Sequence, residues 1–105
     1  MVKVITSMED FETALEEAEA RLVIVDFTAI WCGPCQNIKP AFEKLSEKNP
    51  DVVFLKVDVD ENPEVTEKYG VRSMPTFLFI KKCEVVYKFT GADEAKLKAK
   101  MEEYK

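Results

Sequence analysis

Leu22-Val-Ile-Val-Asp-Phe-Thr28, then Ala29-Ile-Trp-Cys-Gly-Pro-Cys35, then Gln36-Asn-Ile-Lys-Pro-Ala-Phe-Glu-Lys-Leu45: this stretch decides how the chain folds. Its first seven residues are rich in β-branched side chains and too apolar to face water, which predicts a buried strand. Its last part places Ile38, Ala41, Phe42 and Leu45 at helical spacing, so a strand hands over to an amphipathic helix. Trp31-Cys-Gly-Pro-Cys35 sits at that junction. Two cysteines three residues apart at a helix start can meet as a disulfide, because their Cα separation of about 5 Å lies in the bondable window. The same position exposes the first sulfur to unpaired backbone N–H groups and to the positive end of the helix dipole, both of which favour thiolate. The pattern predicts dithiol–disulfide exchange.

Upstream, Val2-Lys-Val-Ile5 alternates like a short strand. Ser7, with Asp10 three residues on, reads as the cap of a helix whose buried stripe is Phe11, Leu15 and Ala18. The helix after the cysteines is expected to run to about Lys48, with Pro40 inside it removing one backbone bond and kinking it. Asn49-Pro50 turns the chain into a second buried strand, Val52–Val57. Asn62 reads as an N-cap, Pro63 as the first helical residue and Gly70 as the stop after Tyr69. Thr76–Lys82 and Glu84–Phe89 form a hairpin turning near Lys82-Cys83, and Asp93 opens a closing helix carrying Leu97, Met101 and Tyr104. The order βαβαβα then ββα demands parallel pairing first and an antiparallel hairpin at the end. The expectation is an α/β fold of one domain, 1–105: a central mixed five-stranded sheet with four helices covering both faces. The cysteines then lie at the C-terminal end of a central strand, where open α/β sheets place their sites.

Composition narrows the chemistry. The net charge is −5, from 15 basic and 20 acidic side chains scattered along the chain. No cluster of Lys and Arg offers a phosphate-binding surface, so no nucleic acid is expected. No apolar run approaches the roughly 20 residues of a membrane span, so no membrane association is expected. Met1-Val-Lys-Val-Ile-Thr6 lacks a signal-peptide pattern, and a cytoplasmic location is the expectation. In that reducing compartment a Cys-x-x-Cys pair is more often catalytic or metal-binding than a structural staple. The absence of histidine excludes Cys–His nucleophile pairs and His-ligated metals. Three cysteines fall short of a closed four-ligand zinc site, so no metal is expected. Cys32, at the helix edge and exposed, is the expected nucleophile. Cys35, one turn inward, is expected to wait protonated and then resolve the mixed disulfide. Asp26 interrupts an apolar strand, so burial should raise its pKa and keep it neutral. Lys56 on the neighbouring strand either lowers that pKa or faces solvent. Pro75 marks the start of a strand, since a central strand has no place for it. Six of the seven phenylalanines, at 11, 27, 42, 54, 77 and 79, read as core.

Val25-Asp-Phe27, Trp31-Cys-Gly-Pro-Cys35, Phe54-Leu-Lys-Val-Asp-Val-Asp60, Met74-Pro-Thr-Phe77 and Thr90-Gly-Ala92 together resemble the thioredoxin family, in its animal cytosolic type, from end to end. A bare Cys-x-x-Cys is a weak signal. The pentapeptide in a strand–helix setting, with Met-Pro-Thr about 40 residues on, is a specific one. The resemblance implies the thioredoxin fold and a protein-disulfide reductase with no bound cofactor. Its reversible Cys32–Cys35 disulfide would be re-reduced by NADPH through thioredoxin reductase, and its targets would be disulfide-containing proteins such as peroxiredoxins and reductases. It implies that Asp26 sits behind Cys35 and assists its deprotonation through water, and that the Met74–Pro75 bond is cis and lies against the cysteines. The backbone of Met74 would pair with an extended substrate segment. Trp31, Gly33, Pro34, Gly91 and Ala92 would complete the groove, with Asp60 holding Trp31; the alternative for Trp31 is core packing. A redox-gated binding subunit, recognising partners only in the reduced state, is the alternative function.

The chain departs from the family pattern at several positions. Ile30 replaces a small or hydroxylated residue and is expected to bring an apolar patch to the rim. Gln36 stands where Lys or Arg is common, which removes a charge that would lower the thiol pKa. Cys83 occupies a hairpin turn where glycine is usual. It is either an inert surface thiol or a regulatory one, forming a disulfide dimer of an otherwise monomeric protein or taking a glutathione cap. Asn62, Tyr69 and Ser73 stand where mammalian members carry cysteines, so regulation through those thiols is not expected.

Overall fold

A computed structural model describes every residue from Met1 to Lys105. The elements run β1 (Val2–Val4), α1 (Met8–Ala18), β2 (Val23–Thr28), α2 (Gly33–Lys48), β3 (Val53–Asp58), α3 (Pro63–Lys68), β4 (Thr76–Lys81), β5 (Glu84–Thr90) and α4 (Glu94–Tyr104). The sheet order is β1-β3-β2-β4-β5. β3 pairs parallel with β1 and β2, whereas β4 pairs antiparallel with β2 and β5. This is the mixed five-stranded, four-helix arrangement that the element order demanded.

The central strand β2 is buried along its whole length. Its alternation sends Val23, Val25 and Phe27 to one face, where Phe11, Leu15 and Val65 from α1 and α3 meet them. Ile24 goes to the other face, against Ile38 and Phe42 of α2 and Leu97 and Met101 of α4. All six phenylalanines read as core are buried. β3 is less enclosed than expected: Val53, Lys56 and Asp58 are only half-buried, and Val53 and Asp58 lie beyond the three residues, Phe54 to Lys56, that the short β1 pairs.

Local signals account for most boundaries. Ser7 Oγ accepts the Asp10 N–H at 3.0 Å, and the Asp10 carboxylate accepts the Thr6 N–H at 2.9 Å. Asp93 caps α4 by accepting the Lys96 N–H at 2.9 Å. Asn62 differs from expectation, since its side chain makes no cap bond to α3. It is buried and donates instead to the carbonyls of Ile5 and Asp58, tying the end of β1 to the loop after β3. Lys82 and Cys83 have φ of 54° and 64°, the left-handed pair that a two-residue hairpin turn requires.

Candidate active site: a cysteine pair at a helix start

β2 ends at Thr28, and the chain turns through Ala29, Ile30 and Trp31 before α2 begins at Gly33. Cys32 is the N-cap of α2, in extended conformation. Its sulfur accepts the Cys35 N–H at 3.2 Å, one of the orphan donors that every helix N-terminus presents. Cys32 and Cys35 are disulfide-bonded, with Cα atoms 5.3 Å apart. Pro34 occupies the first turn, where a missing N–H costs nothing.

Cys32 is less open than expected: it is 6% exposed, against 1% for Cys35. Ala29, Val59 and Met74 pack around the pair, and the Met74 carbonyl oxygen lies 3.6 Å from Cys32 Sγ. The order of accessibility is nevertheless the expected one, with Cys32 outermost. The Met74–Pro75 bond is cis. The Pro75 carbonyl accepts the Gly91 N–H at 2.9 Å, which draws the exposed Gly91-Ala92 segment to the same edge. Gly91 has a φ of 105°, a backbone state that side-chain-bearing residues rarely adopt. Gly33 needs no such freedom; a Cβ there would meet open space.

Trp31 is 63% exposed and Ile30 82% exposed, so core packing of Trp31 is excluded and both apolar side chains stand at the rim. The indole N–H donates to Asp60 at 2.8 Å, and Asp60 is itself held by its N–H to the Asp58 carboxylate at 2.9 Å. Beside them runs a groove of about 490 Å³ lined by Trp31, Asp60, Thr66, Arg72 and Met74 among others.

Asp26 is 4% exposed. By strand alternation it points to the face covered by α2, beneath the cysteine helix, and it registers with Lys56 on β3 and Phe77 on β4. Burial pushes its pKa up to about 7, while the Lys56 ammonium pulls it partly back. The carboxylate Oδ1 has no hydrogen-bond partner. Such an acid exchanges a proton near neutral pH. Cys83 is exposed and unpaired at the hairpin turn. It lies at the far end of β4 from Pro75, a span of roughly 20 Å for six residues.

Three residues at the site escaped the sequence reading. Ala29 and Val59 pack on the disulfide but are apolar and carry no chemical signature. Arg72 lines the groove, and only its closeness to Met74-Pro75 could have pointed to it. No group of His, Cys, Asp or Glu is arranged to hold a metal.

The thioredoxin family profile matches residues 2–103. Mouse thioredoxin is 51% identical over 104 residues, covering 99% of both chains. Human thioredoxin is 50% identical over 103 residues, covering 98% of both. The crystal structure of Fasciola hepatica thioredoxin superposes with a TM-score of 0.97 at 47% identity, covering 98% of this chain and 99% of that one. With a Cys-Gly-Pro-Cys pair disulfide-bonded at the start of its second helix, the chain belongs to the thioredoxin family of dithiol–disulfide oxidoreductases.

Proposed function

We propose that the protein acts as a single-domain, general protein-disulfide reductase in which Cys32 attacks and Cys35 resolves. The Cys32 thiolate displaces one sulfur of a target disulfide, forming a mixed disulfide and releasing one target thiolate. Cys35 then gives up its proton and attacks Cys32 Sγ, releasing the second target thiol and closing the Cys32–Cys35 bond. The target gains two electrons and the cysteine pair loses two. The observation that carries this reading is the Cys35 N–H aimed at Cys32 Sγ, which stabilises negative charge on the attacking sulfur. Asp26, with a pKa of about 7, is suited to take the Cys35 proton and return it, directly or through water.

Met74, Pro75, Trp31, Gly33, Pro34, Gly91 and Ala92 form the edge on which a target strand lies, its backbone pairing at Met74. Electrons come from NADPH by way of a thioredoxin reductase, with disulfide-bearing proteins as targets and the cytoplasm as the place of action; no helix is long and apolar enough to cross a membrane. The protein works as a monomer. Cys83, exposed and far from the pair, is the thiol through which a disulfide dimer or a glutathione cap would form.

Insulin-disulfide reduction driven by NADPH and thioredoxin reductase tests the reading. Cys32→Ser and Cys35→Ser should each lose turnover; persistent turnover in either variant would overturn the assigned cycle. The exposed Ile30–Trp31 surface also favours a second role, as a subunit that binds partners only when reduced. That role should survive Cys35→Ser, whereas turnover should not.

A further inference from the structure

Gln36 stands at the surface one position beyond Cys35, and two of its nitrogens reach back across the cysteine motif. Its backbone N–H donates to the Cys32 carbonyl at 3.2 Å. Its side-chain Nε2 donates to the Ala29 carbonyl at 3.1 Å. That same Ala29 carbonyl accepts the Cys32 N–H at 3.2 Å, so one oxygen, with two lone pairs, joins the turn before Cys32 to the helix after it. The side-chain bond spans seven residues and leaves its own helix. Further along α2 the ladder is weakened at this residue, because Pro40 has no N–H to give the Gln36 carbonyl.

We infer that Gln36 is a positioning residue for the cysteine pair: its amide clamps the Ala29–Cys32 turn to α2 and keeps Cys32 seated at the helix N-terminus once the disulfide opens, a role that rests on Cys32 being the attacking sulfur. In the disulfide form, Cys32 is held covalently to Cys35 and the clamp is redundant. In the dithiol form that link is gone, and hydrogen bonds alone hold the first turn, the part of a helix that frays first. Attack on a target requires the sulfur to stand in line with the target S–S bond, and misplacement of a reacting atom is costly. Gln36 carries no charge, so its contribution is geometric. It stands where a cation is common in the family and supplies a hydrogen bond to the loop instead.

Amide hydrogen exchange at Cys32, read by NMR in both redox forms of the full chain, tests this directly. Gln36→Met matches the side-chain length without a donor. It should speed Cys32 exchange in the dithiol protein by about two- to tenfold, the range one net hydrogen bond carries, and slow attack on a protein disulfide comparably. The disulfide form should change little. Gln36→Lys, which restores a long donor, should return exchange close to the parent value. Unchanged exchange in the dithiol form of Gln36→Met would overturn the role. So would equal acceleration in both forms, which marks general loosening, or failure of the lysine to rescue. The exchange comparison reads the clamp without turnover, and Cys32→Ser turnover reads the attacking sulfur without the clamp, so the two readings fail separately.

Discussion

Asp26 shows what one residue can trade. A carboxyl whose pKa rises on folding from its ordinary value of 3.8 to about 7 leaves the folded state undisturbed below about pH 4, where both states bind the proton. Between about pH 4 and pH 7 the unfolded chain ionises first, so stability falls as pH rises and is lowest above pH 7. At 1.36 kcal/mol per pKa unit the loss amounts to about 4 kcal/mol. Asp26→Asn removes that slope. Urea unfolding should therefore show the variant gaining about 4 kcal/mol on the parent between pH 4 and pH 8. Its insulin reduction at neutral pH should drop as the proton acceptor is lost. A parallel pair of stability curves would show that Asp26 is already ionised when folded. The charge that destabilises the strand is, on the proposed cycle, the one that activates Cys35.

Among the elements, the β4–β5 hairpin carries a visible cost. Its turn places Lys82 and Cys83 at φ of 54° and 64°, where a residue with a Cβ pays roughly 1–2 kcal/mol. Glycine adopts this state freely but brings more unfolded-chain entropy, worth about 0.5–1 kcal/mol. Cys83→Gly should thus stabilise the protein by about 0.5–1 kcal/mol in urea unfolding, with activity unchanged because the turn is at the far end of β4. The same change would abolish any disulfide dimer seen on non-reducing gels. A β-bulge near Phe79 and Ile80 interrupts the same hairpin, which blunts the exposed edge that β5 presents.

Across the whole molecule, the two helical layers are joined through the sheet rather than to each other. Phe77, fully buried, lies 5.8 Å from the Phe42 ring of α2 and 5.2 Å from the Phe89 ring of β5. It begins two residues beyond Pro75, so it also anchors the strand that carries the groove. Phe77→Ala should cost about 3–5 kcal/mol, a large share of the 5–15 kcal/mol typical of a domain. A fall in the urea midpoint would measure it. A loss below about 1 kcal/mol would mean that the core collapses to fill the space.

The order of elements, the two-sided core and the place of the cysteine pair could all be read from the residues alone. These follow from short-range physics: apolar periodicity, capping residues such as Ser7 and Asp93, and glycine and proline at chain reversals. The acid in an apolar strand was equally legible, because burial follows from its neighbours. Partners distant in the chain meet only through the three-dimensional fold. Lys56 bears on Asp26 because β3 and β2 register at those residues. Asn62 abandons its cap because Ile5, 57 positions earlier, offers it a carbonyl. Cys32 is more enclosed than a helix edge suggests because Met74, 42 residues away, comes to rest on it. No local pattern encodes such meetings; they exist only once the sheet has brought separate segments within hydrogen-bond reach.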